Sequence, residues 1–260
     1  MAGEFSKADI SKAVDRVFCQ ASQGKAPVEH PKAHILGGQP GAGKTVLQKA
    51  LLREFEGNAV VVNGDEYRKL IPGHERFREL PGAKYAPATQ EFANQVAEGL
   101  IGKAGSMSYN LIIEGTLRHK ETALNTCRLL KEKGYKAELC VMAVNREISY
   151  YSTKLRAENL RKFGGVSRQT ATDNHNEAVR NLSRNVSEIY RGGEFDNIRA
   201  FGRDGKCLYS QEETPETDPG HIVQERLYGK TPEDTREVRS IKKSIAKIRA
   251  RRIPPPQLGL

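Results

Sequence analysis

The chain has 260 residues, with 37% hydrophobic and 7% aromatic content. That is enough for one α/β domain with a substantial core and a peripheral extension. No apolar run approaches the roughly 18 residues that span a membrane, and no charged-then-apolar leader opens the chain, so a cytoplasmic protein without a membrane partner is expected. The net charge of +10 is unevenly placed: from Arg226 onward ten Lys/Arg face three Asp/Glu, leaving +3 for residues 1–225. A nucleic-acid-binding enzyme would more often spread its positive charge around a cleft, so nucleic acid is not an expected partner. Cys19, Cys127, Cys140 and Cys207 are widely spaced and form no CxxC pair, which favours free thiols over a zinc site or a disulfide framework.

Residues 4–22 show helical periodicity, with Ile10, Ala13, Val14, Val17 and Phe18 on one side. A Gly/Pro-containing stretch, 24–31, leads to a strand at 33–37. Residues 44–55 read as a helix burying Val46, Leu47, Ala50, Leu51 and Phe55. A strand at 59–63, a helix at 86–104, a strand at 111–114 and a helix at 120–133 ended by Gly134 follow. Next come a strand at 138–144 and two helices, 148–163 and 168–190, separated by Gly164–Gly165. Strands at 197–201 and 206–209 flank Asp204–Gly205, a hairpin signal. One further helix is expected in the Pro- and charge-rich remainder, with Thr231 as cap and Pro232 at its first position. Short apolar strands alternating with helices predict an α/β fold with a mostly parallel sheet covered on both faces. The expected organisation is an N-terminal helix and linker (1–30), one α/β domain (31–210) and a charged extension with one helix (211–260).

The segment Gly38-Gln39-Pro40-Gly41-Ala42-Gly43-Lys44-Thr45 matches GxxxxGK[ST] and lies between a predicted strand and a predicted helix, the context that makes the match credible. Its glycines let successive backbone N–H groups face phosphate oxygens, and the helix beyond adds its positive end. Lys44 would reach the β- and γ-phosphates, and the Thr45 hydroxyl would ligate Mg²⁺. The loop names a nucleotide, ATP or GTP, but not a reaction.

Two carboxylates fall at strand ends, where parallel sheets place their ligands. Asp65 follows the second strand and is the candidate general base for transfer to an alcohol; its bland alternative is a cap on the helix that follows. Glu114 closes the third strand and would orient a substrate or hold Mg²⁺ through water, unless it is paired with Arg118. Arg156 and Arg168 flank the Gly164–Gly165 break, a suitable place for a lid over the γ-phosphate. Taken singly, each arginine is equally a solvated helix charge.

These residues in this order resemble the zeta toxin kinases of bacterial toxin–antitoxin systems, over roughly residues 30–210. The likeness rests on Leu36-to-Thr45, the Gly64-Asp65 after strand two, Tyr109-to-Arg118, residues 141–144, the Ser-Thr-Lys-Leu-Arg ending at Arg156, and residues 193–199. The resemblance implies ATP- or GTP-dependent phosphorylation of a UDP-activated amino sugar, the 3′-hydroxyl of the N-acetylglucosamine unit being expected. It also implies a small helical antitoxin of the epsilon type. By the same likeness Asp65 matches the base, Glu98, Glu114, Thr116 and Arg118 match substrate-pocket positions, and Arg156 and Arg168 match the γ-phosphate arginines. Leu117 stands where a small residue is common, and the 156–168 segment is slightly short. Two alternatives stay open on the residues alone: another small-molecule phosphotransferase on the same scaffold, and a nucleotide switch or nucleic-acid-binding protein using the basic tail.

Overall fold

The computed structural model describes residues 5–80, 82–162 and 172–250. In chain order the elements are α1 (Lys7–Ala21), β1 (Lys32–Gly37), α2 (Lys44–Glu54), β2 (Val60–Val62), α3 (Gly64–Tyr67), α4 (His74–Arg78), α5 (Gly82–Ser106) and β3 (Leu111–Glu114). They continue with α6 (Lys120–Lys131), β4 (Lys136–Met142), α7 (Arg146–Lys162), α8 (Thr172–Gly192), β5 (Asn197–Phe201), β6 (Cys207–Ser210), α9 (Pro219–Tyr228) and α10 (Pro232–Ala250).

The six strands form one sheet in the order β2-β3-β1-β4-β5-β6, parallel except for β6, which runs antiparallel to β5. The mostly parallel sheet with helices on both faces is therefore as the sequence predicts. Alternation along each strand feeds two cores. Ile35, Leu111, Ile113, Leu139 and Val141 face the layer that contains α1, α5, α6, α8 and α9. Leu36, Ile112, Cys140 and Met142 face α2, α7 and α10. Because β1 is central, its carboxyl end and the loop after it lie where the connections diverge to either side, the usual ligand position in such sheets.

Among the described residues the C-terminal region holds two helices, where the sequence predicts one. The first, α9, is missed by reading the region as polar, yet Asp218 accepts from the Gly220 N–H at 2.8 Å and Pro219 opens the helix. That cap-and-proline pair was a readable start signal. Val223 and Leu227 on α9 are fully buried against the sheet's larger core. The second, α10, begins as expected at the Thr231 cap, closed by reciprocal bonds with Asp234. It buries Val238, Ile241 and Ile245 beside Ile148, Tyr151 and Leu155 of α7 and leaves its basic face exposed.

The helix expected at 86–104 starts earlier, at Gly82, and carries Pro87 inside it. Near the helix start a proline removes only one ladder bond, which the first turns tolerate. Along its length α1 packs on α5, with Val14 set against Gly99 and Phe5 edge-on to Phe92.

His34, at 3% exposure on β1, stacks on Phe55 with ring centres 4.6 Å apart. Burial pulls its pKa down to about 3, and the Arg199 and Lys32 charges push the same way. An unfolded chain takes up this proton below pH 6.5, whereas the folded chain resists it until near pH 3. The stability is thus present above pH 6.5 and lost as pH falls; near pH 4.5 the loss from this one group is about 2–3 kcal/mol. Melting curves of wild type and His34→Gln should converge toward acid, and an unchanged pH slope in the variant would clear His34 of this role.

Candidate active site

The loop 38–45 turns between β1 and α2 as the motif requires. Gly41 adopts φ 81°, and a Cβ there would sit 2.2 Å from the Ser149 carbonyl oxygen, so α7 presses directly on the loop. Gly43, at φ 99°, starts α2 from the left-handed region without strain. Gln39 is fully buried; its Nε2 donates to the Val144 carbonyl at 2.7 Å and to Ser149 Oγ at 3.2 Å, pinning the loop to the start of α7. Lys44 is buried at the head of α2, and its Nζ donates to the Gly38 carbonyl at 2.8 Å and the Gln39 carbonyl at 3.4 Å. Thr45 beside it is exposed, and Pro40 and Ala42 complete the turn.

Around that lysine the structure gathers three of the predicted residues. Burial pushes the Lys44 pKa down, the carboxylates of Glu114 and Asp65 hold it up, and Arg156 opposes it. Burial likewise raises the Glu114 pKa; Lys44 counteracts this first, Asp65 adds to the rise, and Arg156 lowers it. Lys44, Asp65, Glu114 and Arg156 thus share one electrostatic neighbourhood at the carboxyl ends of β1, β2 and β3.

Asp65 is not the cap of the helix it lies in. Asn63 takes that part, its Oδ1 accepting from the Asp65 N–H at 3.1 Å. The Asp65 carboxylate, with its side chain 53% exposed, instead accepts from Arg68 Nε at 2.8 Å. Arg68 was overlooked in the sequence because arginines are normally solvated. Here it is 5% exposed, and its fork donates to the Ala86 carbonyl, Thr89 Oγ1 and Gln90 Oε1 at 2.8, 3.1 and 2.6 Å, all on α5. The i,i+3 spacing of Asp65 and Arg68 was the available signal. Arg68 therefore fixes the candidate base to α5.

Glu114 ends β3 in register with Leu36. Its expected alternative partner, Arg118, pairs with Glu177 on α8 instead, at 3.7 Å. The segment between them is held by α8: Asn185 Nδ2 donates to the Leu117 carbonyl at 2.9 Å, and Asn181 Nδ2 to that of Arg118 at 3.3 Å. Leu117 has φ 53°, a left-handed conformation that glycine adopts without strain. Thr116 is exposed, and its Oγ1 accepts from the Arg118 N–H at 3.4 Å.

Glu98 is not drawn into this group. It is exposed on α5, and its charge is not among those that act on Lys44 or Glu114. On the helix it directly follows Ala97, which approaches Gly64, the residue before Asp65. Arg168 and the Gly164–Gly165 break lie outside the described residues.

The description "Zeta toxin" belongs to the family model that matches residues 15–214. The chain belongs to the zeta toxin family. It is 33% identical to Toxin PezT of Streptococcus pneumoniae over 90% of this chain and 93% of that protein. It is 35% identical to Toxin zeta of Enterococcus hirae over 79% of this chain and 72% of that one. A solved structure from the PezAT chromosomal toxin–antitoxin system of Streptococcus pneumoniae superposes with a TM-score of 0.87 at 29% identity, covering 96% of this chain and 100% of that chain. The AvrRxo1-ORF1:AvrRxo1-ORF2 complex with ATP, at 17% identity and a TM-score of 0.55, shares the fold. As a zeta toxin the chain is a phosphotransferase, a kinase toxin that uses an ATP-type nucleotide. Among the described residues no helix is long and apolar enough to cross a membrane.

Proposed function

We propose that Asp65 takes the proton from the 3′-hydroxyl of the N-acetylglucosamine unit as that oxygen attacks the γ-phosphorus. The bond from phosphorus to the β–γ bridging oxygen then breaks, and the nucleoside diphosphate leaves. The observation that supports this reading is the common neighbourhood of Lys44, Asp65, Glu114 and Arg156, in which a carboxylate beside β2 and the phosphate-loop lysine feel each other's charge.

Each residue then has a part that follows from its chemistry. The loop 38–45 cradles the phosphates through its backbone N–H groups. Lys44 and Arg156, with Arg168, neutralise charge on the transferring group, which carries most of the catalysis in such loose transition states. Glu114, Thr116 and Arg118 line the way to the acceptor, and Glu98 serves at most as an outer contact. The donors at hand for a metal are all oxygens, the Thr45 hydroxyl and the Asp65 and Glu114 carboxylates, a set that suits Mg²⁺. No cluster of three or more His, Cys, Asp or Glu is present among the described residues, as fits an ion bound mainly through substrate phosphates. Thr45 would hold that ion, which when bound screens the phosphate charge.

On this reading residues 31–210 carry the chemistry, with α1, α9 and α10 packed around them. The enzyme works in the cytoplasm, a setting that suits its four free cysteines. A small antitoxin of the epsilon type is its natural restraint, since the structurally similar chain comes from a toxin–antitoxin system. The test is an acceptor screen: the protein with ATP, Mg²⁺ and a panel of UDP-sugars and hydroxylated antibiotics, followed by mass analysis and localisation of the added phosphate. Phosphate on the 3′-hydroxyl of UDP-N-acetylglucosamine is the expected result; transfer only to an antibiotic would replace the acceptor.

A further inference from the structure

We propose that Arg203, held by Glu237 of the C-terminal helix, is a positioning residue for the nucleotide, so that α10 braces the phosphate loop. The inference rests on the reading of residues 38–45 as the nucleotide cradle. Arg203 lies in the turn between β5 and β6, and its guanidinium ties three separate segments together. Nη1 donates to the Gly41 carbonyl of the loop at 3.0 Å, and Nη2 donates to Ser152 Oγ on α7 at 2.9 Å. Nε lies 2.6 Å from Glu237 Oε1 on α10. The stem of the same side chain runs past Gly43, whose added Cβ would meet Arg203 Cγ at 3.8 Å.

Geometry gives these bonds their leverage. Gly41 is the loop residue against which α7 already packs. Ser152 stands one helical turn before Arg156, on the same face. One planar fork therefore sets both the loop and the helix that presents an arginine to the phosphate. A fork keeps its donors in fixed relative directions, which a lysine cannot do. The remaining nitrogen is aimed by Glu237, and α10 is itself well seated. Its apolar side is buried on α7, Arg249 Nη2 reaches the nearly buried Glu158 at 2.9 Å, and Lys242 lies 4.4 Å from the Tyr151 ring centre. An exposed ion pair by itself contributes little to stability. The effect expected here is on loop geometry, not on folding.

The experiment is a double-mutant cycle in the full chain, read by ATP binding, melting temperature and separate KM values for ATP and UDP-N-acetylglucosamine. Arg203→Ala should raise the ATP Kd about tenfold and Glu237→Ala about fivefold, while the double variant binds no worse than Arg203→Ala alone. Glu237→Gln, which keeps an acceptor, should recover part of the loss. Melting temperature and the acceptor KM should stay near wild type in Glu237→Ala. Additive losses, an unchanged Kd in Glu237→Ala, or an equal rise in both KM values would overturn the proposal. If Arg203→Ala does not fold, Arg203→Lys takes its place in the same cycle. A wild-type chain that binds no ATP would fell the cradle reading itself, whereas normal ATP binding with an indifferent Glu237 would fell only the brace.

Discussion

Asp65→Ala is expected to lower kcat by about 10²–10⁴-fold while leaving the ATP Kd within about threefold of wild type. The carboxylate lies beside β2, exposed enough to meet an acceptor, and one of its oxygens is already engaged by Arg68. Removing it deletes the proton acceptor and leaves the phosphate cradle untouched. Alanine also strips a buried arginine of its charge partner, and breaking such a pair is destabilising. Asp65→Asn separates the two effects, because its amide oxygen can still accept from Arg68 Nε. The asparagine variant should therefore melt near wild type and fail to transfer phosphate. Single-turnover assays beside calorimetry decide it; substantial transfer by a folded asparagine variant ends the case for Asp65 as base.

The second large effect is expected at Lys44. Lys44→Met should cut kcat by about 10³-fold and weaken ATP binding by at least about tenfold, since it removes the charge that meets both the bound and the transferring phosphates. The variant should melt no lower than wild type, because a buried ammonium whose pKa is already depressed by burial is a poor source of stability. The loss of activity is then not a loss of fold. Replacing the lysine also removes the charge that holds the Glu114 pKa down, so Glu114 should titrate at a still higher pH in the variant, a shift visible by carboxyl-resolved NMR. Undiminished ATP affinity in Lys44→Met would count against the loop assignment.

Much of this site is legible in the chain because its parts are local. The phosphate loop is eight consecutive residues, and Asp65 and Glu114 are marked by the apolar strands that precede them. The mostly parallel sheet follows from short apolar runs separated by helices. What escapes reading is decided by tertiary contact. Arg68 looks like any surface arginine until α5 supplies three acceptors for its fork. Arg203 sits in a turn whose sequence advertises only a hairpin. Glu98 has the spacing of a site residue, and its exposure on α5 is set by the phase of the helix, which spacing alone does not give. The true reach of α5 is hidden by Pro87, which reads as a helix start and is in fact internal. In α9 the signal was present, in Asp218 and Pro219, but polar neighbours masked the apolar side that Val223 and Leu227 bury.

The burial of α9 bears on when the core becomes complete. Lys44, Asp65, Glu114, Arg156 and Arg203 all leave the ribosome before the segment 219–228 that covers the sheet beside β5 and α8. Until that helix arrives, a growing chain bears every reactive group and exposes the apolar surface meant for Val223 and Leu227. A premature stop near residue 210 would leave the same half-made core, prone to clumping and proteolysis. A complete core therefore requires the chain to extend past α9.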